Sequence, residues 1–315
     1  MASFSIAIFV TGLAQDRFIT EQVTSPTLGA VRTMRIYLPP SYHSNPGRRY
    51  PVLYVQDGQN VFSTAGTNVA FGWGNWELDR TADRLAAAGA IQEILLVAVD
   101  NGPARLAEYS GAHAVDVPGP SNRTGFESYA AFVVGELKPR IDASHRTLPG
   151  PAHTAVMGSS LGGLCSVALA WDHPEIFGGA ASLSGAFQVG RTNFLNSVLR
   201  TYQGKPKPIR IYLDSGVVDF TGGDDGRSLS ASVATEFRRI GWADAEVSPP
   251  DPQHQVLPPP PLRYYLDART LSEVELEKAG LRRDKWKEAQ TSQHNEFYWR
   301  LRVGRALSFL FPPLR

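Results

Sequence analysis

Three residue types that can share one reaction stand far apart in this chain: a serine between glycines, a late histidine, and several aspartates between the two. Gly158-Ser159-Ser160-Leu161-Gly162 has the form G-x-S-x-G, in which a serine hydroxyl on a sharp strand-to-helix turn attacks an electrophilic carbon such as an acyl carbonyl. The pentapeptide alone is weak, because 29 glycines and 24 serines produce it by chance in about one chain in five of this length. Its flanks supply the rest. The apolar run Ala152 to Met157 leads straight into it, and an apolar pattern at helical spacing, Ser160 to Trp171, leads out. Glycines at 158 and 162 let strand and helix backbones approach, and the helix start offers unpaired N–H groups and a positive dipole end. The competing reading is a glycine- and serine-rich turn without chemistry.

A serine hydroxyl needs a base within reach and a third group to orient that base. Behind such an elbow the acid and then the histidine follow in chain order. Of seven histidines, His254 and His294 lie late enough. His254 sits in a proline-rich stretch, whereas His294 stands in Gln293-His-Asn-Glu-Phe-Tyr-Trp299, a polar loop entering a terminal helix with Phe297, Leu301 and Leu307 on its apolar side; His294 is the expected base. The acid is expected after the run Ile209 to Leu213, where the chain reads Asp214-Ser-Gly-Val-Val-Asp219-Phe-Thr-Gly-Gly-Asp224-Asp225. Asp219 is far enough past the strand to swing toward a histidine loop and is the expected acid, with Asp214, Asp224 and Asp225 as alternatives. Charge developing on the substrate oxygen needs preorganised donors. The backbone N–H of Leu161 is one, and an N–H near Gln59, in Asp57-Gly58-Gln59-Asn60, is the expected second. Trp73, Trp76, Phe187 and Trp299 are expected to ring the pocket with aromatic faces suited to aryl or sugar groups, the alternative being core packing. Arg105, Glu108 and Tyr109 form a polar cluster that an ion pair is expected to shape.

The elements that must position these groups are legible as alternation. Val31 to Leu38, Pro51 to Gln56, Ile94 to Val99, Ala152 to Met157, Gly179 to Leu183 and Ile209 to Leu213 are short apolar runs, and helical patterns stand between them at Trp76 to Ala88, Phe126 to Ile141 and Ser160 to Trp171. This predicts an α/β fold with a mostly parallel sheet covered by helices on both faces. The stretch 247–262 is proline-rich, and Thr270-Leu-Ser-Glu273 has the form of a capping box opening a short helix to Ala279, ended by Gly280. Residues 247–290 are read as an excursion within a single domain, forming a cap near the site.

Composition narrows the partners. With 31 Lys and Arg against 30 Asp and Glu, the formal charge of +1 gives no basic field for a phosphate backbone, so nucleic acid is not an expected partner. No apolar run approaches the roughly 18 to 20 residues a membrane helix needs, so none with a membrane is expected either. Cys165 is the only cysteine, which excludes an internal disulfide, and it is expected as a small buried side chain. Residues 1–14 resemble a short secretion signal but lack a positive leading region. The expected location is therefore cytoplasmic, with a secreted or periplasmic protein, or an edge strand at 1–14, as alternatives.

The stretches YVQDGQNVF (54–62), VDNGPARLAEYS (99–110), GSSLGG (158–163) and HNEFYW (294–299) together resemble the Putative esterase family. This is the branch of the α/β-hydrolase fold that holds esterase D-like, enterochelin esterase-like, and feruloyl or acetyl-xylan esterase-like enzymes. The resemblance covers about residues 25–245 and 286–312. It implies hydrolysis of carboxylic esters through Ser160, Asp219 and His294, with a small-molecule or carbohydrate-linked ester as substrate and no metal or organic cofactor. The proline run and the helix at 270–279 depart from the family's usual path from acid to histidine and leave the ester undefined. A macrocyclic siderophore, for which some relatives carry an extended N-terminal module, is not the favoured substrate. Acyl transfer to an alcohol by the same triad, and a non-catalytic binding protein on the same scaffold, are the rival functions.

Overall fold

A computed structural model of the chain describes residues 16–111, 125–245 and 259–313. The strands are β1 (Phe18–Ser25), β2 (Ala30–Tyr37), β3 (Val52–Gln56), β4 (Leu95–Val99), β5 (Thr154–Ser159), β6 (Gly179–Leu183), β7 (Arg210–Ser215), β8 (Ala243–Asp244) and β9 (Pro261–Leu266), of which β2 to β7 are the six expected apolar runs. Among the described residues they form one sheet in the order β1-β2-β4-β3-β5-β6-β7-β9-β8. The β1–β2 and β2–β4 pairs are antiparallel and the rest parallel. Every residue of β3, β4, β5 and β6 is buried, which is why these strands read as near-continuous apolar runs rather than alternating ones.

The helices are α1 (Leu78–Ala87), α2 (Arg105–Tyr109), α3 (Gly125–Phe132), α4 (Lys138–Ser144), α5 (Leu161–Asp172), α6 (Val189–Asn193), α7 (Arg227–Ile240), α8 (Glu273–Lys278), α9 (Trp286–Ala289) and α10 (Glu296–Leu310). One core joins the sheet to α3, α5 and α7 through Phe126, Leu164, Leu169 and Phe237; the other joins its opposite face to α1 and α10 through Leu78, Ala82, Val303 and Leu307. Phe126, Tyr129, Ala130, Val133, Leu137 and Ile141 are all buried, as their stripe requires, although α3 passes into α4 through a π-helical turn at Val133–Leu137. Cys165 is fully buried in α5. No described helix is long and apolar enough to cross a membrane.

The C-terminal ends of the parallel strands open on one edge of the sheet, where an α/β fold gathers its functional loops. One further strand reaches that edge unannounced. Pro261–Leu266 pairs in parallel with β7, Ile211 opposite Leu262 and Ser215 opposite Leu266, so α7 and β9 connect the acid loop to the histidine loop. Proline is tolerated because it stands at the first residue of the strand, and the preceding proline run hides the signal. Residues 246–258, with His254, lie outside the described part, as do residues 1–15. The capping box is also displaced from its expected position: Ser272 caps α8, its hydroxyl accepting from the Glu275 N–H while Glu275 accepts from the Ser272 N–H.

Candidate active site

Ser160 stands between β5 and α5 with φ 53° and ψ −122°, a backbone conformation that costs an L-residue about 1–3 kcal/mol. The surroundings hold it there. Its N–H donates to the Leu183 carbonyl at 2.9 Å, and its own carbonyl accepts from Gly163 (3.0 Å), Leu164 (3.2 Å) and Ala186 (2.9 Å). The two motif glycines are spacers. A Cβ on Gly158 would overlap the Gly162 backbone, and one on Gly162 would lie 2.9 Å from Gln56 Cβ and 3.1 Å from Asp57 Oδ2. Gly158→Ala is therefore expected to lower the unfolding free energy by about 1–3 kcal/mol in urea denaturation, since backbone cannot yield as a flexible side chain can. A variant as stable as the parent would contradict this packing account.

His294 precedes α10, whose first turn is capped by Asn295 accepting from the Tyr298 N–H at 3.1 Å. The neighbouring Gln293 ties this loop to the one after β7: its N–H donates to Val218 O at 2.7 Å, its Oε1 accepts from the Val217 N–H, and its Nε2 donates to Arg269 O at 2.6 Å. The imidazole sits between two aromatic rings, Trp299 at 5.1 Å and Phe220 at 5.7 Å, each edge-on. Its Nδ1 lies 2.5 Å from Asp225 Oδ1.

The carboxylate that meets the imidazole is thus that of Asp225, not of the expected Asp219. Asp219 spends its carboxylate on its own turn: Oδ1 accepts from the Thr221 N–H (2.8 Å), the Thr221 hydroxyl (2.6 Å) and the Gly223 N–H (2.9 Å). Slight burial works against its ionisation, but these donors keep it below the usual carboxylate range. The turn closes with Asp219 N–H on Gly223 O and a bridge between Val218 and Asp224, so the chain doubles back and returns Asp225 beneath the strand end. There Asp225 is buried, its Oδ2 accepting from the Gly216 N–H (2.5 Å) and the Ser184 hydroxyl (2.6 Å). Asp224 caps α7, accepting from Ser228 N–H at 3.1 Å, and Asp214 is fully buried in β7.

Ser160 and His294 line one cavity of about 770 Å³. Trp73, Trp76 and Trp299 line it while also packing in the core, joined by Phe71 and Phe220, which are 94% and 68% exposed. Phe187 does not: it is fully buried and stacks on Phe194 at 6.2 Å in the core behind the elbow. Nothing in the sequence distinguishes Phe187 from a pocket residue; Phe71 was not among the expected residues, and the one signal for it is its place beside Gly72 in a glycine-rich loop. Gln59 lines the cavity in the first turn of a short 3-10 helix, Gly58–Asn60, and Leu161 begins α5, so neither N–H has a carbonyl of its own helix to meet. Leu161 lines a smaller adjoining cavity that shares Ser160 and His294. The segment after β9 reaches the rim: Leu276, Leu281 and Ala289 pack with Trp73 and Phe297, and Lys285 lies 4.8 Å over the Trp73 ring.

The polar wall is built on Asp57, whose carboxylate takes both arms of Arg105 at 2.7 Å and Asn101 Nδ2 at 2.5 Å. Glu108 pairs instead with Arg32 away from the cavity. Glu296, absent from the expected site, also lines the cavity, with Asn60 Nδ2 at 3.2 Å. Burial pushes its carboxyl up to about 7, nearby Asp57 adding to the rise while its backbone contact, Asn60 and Arg105 oppose it. As pH rises through about 7 the cavity therefore gains a negative charge. KM for an ester bearing a free carboxylate is expected to increase severalfold between pH 6 and 8, with no such increase for a neutral ester or in Glu296→Gln; an identical pH dependence in parent and variant would contradict the assignment.

Comparisons with known proteins bear on the family and the fold. The family model described as Putative esterase matches residues 25–245. The uncharacterized protein YbbA of Bacillus subtilis is 26% identical over 190 residues, 59% of this chain and 68% of that protein. Among solved structures, a ferulic acid esterase superposes with a TM-score of 0.64 at 18% identity, covering 93% of this chain and 97% of its own. The enterobactin esterase of Shigella flexneri gives 0.62 at 16% identity, covering 94% and 59%. With an elbow serine and a carboxylate-bound histidine on one cavity of such a sheet, the chain belongs to the Putative esterase family and is a carboxylic ester hydrolase of the α/β-hydrolase fold.

Proposed function

We propose that Ser160, His294 and Asp225 act as a triad that cleaves small-molecule or carbohydrate-linked esters through an acyl-enzyme. The observation that carries this reading is the 2.5 Å contact of His294 Nδ1 with buried Asp225, on a ring that shares its cavity with a strained, elbow-borne serine. With Nδ1–H donating to Asp225, Nε2 is the basic nitrogen. It takes the Ser160 proton as Oγ attacks the ester carbonyl, and Asp225 stabilises the imidazolium that forms. The carbonyl oxygen, now negative, accepts from the N–H groups of Leu161 and Gln59. Collapse breaks the bond to the alcohol oxygen, which leaves with the proton from His294. Water then attacks the acyl-enzyme, giving its proton to His294, and the acid departs as Ser160 recovers its hydrogen. The aromatic lining, Trp73, Trp76, Trp299, Phe71 and Phe220, favours an acyl or alcohol group with a flat or ring-shaped face.

The test is partition of the intermediate. Esters sharing one acyl group but differing in alcohol should give the same ratio of hydroxamate to free acid when hydroxylamine competes with water, because all pass through one acyl-enzyme. A ratio that changes with the leaving alcohol would overturn the covalent route.

A further inference from the structure

Behind Asp225 lies a buried polar cluster that the reaction as described leaves unused. Ser184 follows β6 with φ 46° and its N–H donates to Asp214 O at 2.9 Å. Its hydroxyl oxygen accepts from Arg302 Nη2 at 2.6 Å and Trp299 Nε1 at 3.2 Å. With both lone pairs so engaged, the hydroxyl proton has one direction left, toward Asp225 Oδ2 at 2.6 Å. Arg302, fully buried in α10, brings Nε to 3.3 Å from Asp214 Oδ1 and Nη1 to 3.9 Å from Asp225 Oδ2, and neither nitrogen makes a hydrogen bond. A guanidinium buried only to brace the fold would use its five donors more fully.

Resting on the triad proposed above, we infer that Ser184 and Arg302 are positioning residues that fix the orientation of Asp225 and balance the charge it presents to His294. Around Arg302 stand Asp214 and Tyr212 of β7, Asp225, and Asp267 just past β9, the last paired with Arg269 at 2.7 Å. Tyr212 donates its hydroxyl to Asp214 Oδ2 at 3.1 Å. Burial lifts the Asp214 carboxyl to about 6, against the pull of Arg302. One guanidinium thus faces two carboxylates, Asp214 and Asp225, and the local account closes only when His294 becomes the second cation during attack by Ser160. Removing Arg302 would over-favour the imidazolium, and removing Asp214 would do the reverse.

The experiment is the pH profile of kcat/KM, whose acid limb reports the free enzyme's base. Arg302→Met should move that limb up by about one pH unit, Arg302→Lys should restore part of the shift, and Asp214→Asn should move it down. Ser184→Gly, which accepts the positive φ, should lower kcat about tenfold or more with KM within twofold, because orientation and not binding is lost. Limbs that stay in place or move in the same direction, or a parental kcat in Ser184→Gly, would overturn the inference. If Arg302→Met fails to fold in a urea titration, Asp214→Asn and Ser184→Gly decide alone. Asp225→Asn separates the two levels: its inactivity beside parental profiles in the cluster variants sinks only this inference, while a fully active Asp225→Asn sinks the triad as well.

Discussion

Ser160→Ala is expected to lower kcat for a p-nitrophenyl ester by about 10⁴- to 10⁶-fold, with KM changed little. The size follows from what is removed: without Oγ there is no covalent step, and His294 has no hydroxyl proton to accept. In the proposed mechanism the Leu161 and Gln59 N–H groups and the aromatic walls remain, so the variant should still bind the ester. The fold should survive, because the contacts that hold residue 160 in its strained conformation are all backbone bonds, from Leu183, Gly163, Leu164 and Ala186. A variant retaining more than about 1% of the parental rate would remove Ser160 from the reaction, since a nucleophile cannot be dispensable at that level.

Exchanging the acid should be nearly as damaging at one position and mild at another. Asp225→Asn is expected to lower kcat about 10³- to 10⁴-fold, because an amide cannot hold the Nδ1–H tautomer by charge and offers no anion to the imidazolium. Asp219→Asn is expected to stay within a few-fold of the parent. Its carboxylate binds Thr221 and Gly223 of its own turn and makes no hydrogen bond to His294, so the cost falls on the loop. If Asp219→Asn lost activity by orders of magnitude and Asp225→Asn did not, the doubled-back loop would not describe the working enzyme.

That contrast also marks where the sequence stopped speaking. Five of the strands, β3 to β7, and the central helix were legible because buried parallel strands are short apolar runs between turn residues, a pattern that local composition carries by itself; antiparallel β2 was legible from the two prolines that stop it. The elbow was legible for the same reason: an apolar strand, a serine between glycines and an apolar helix follow one another within residues 154–172. His294 stood out because it precedes an amphipathic terminal helix. The acid was different. Its choice depended on how far the chain travels after β7, and the Asx-type turn at Asp219 reverses the path so that a residue six positions later comes back under the sheet. Distance along the chain is a poor ruler wherever a loop folds on itself, and Asp219 has just the side chain that makes such a turn. β9 was hidden by the prolines before it. Glu296, Ser184 and Arg302 carried no local signal, since their contacts join elements up to 236 residues apart in sequence.

The most direct test of the account is to treat the protein with a fluorophosphonate and measure its intact mass and the site of the adduct. One phosphonyl group per chain, located on Ser160, absent from Ser160→Ala and formed far more slowly by Asp225→Asn, is the result the account predicts. No adduct on the active parent enzyme, or an adduct on another residue, would contradict it.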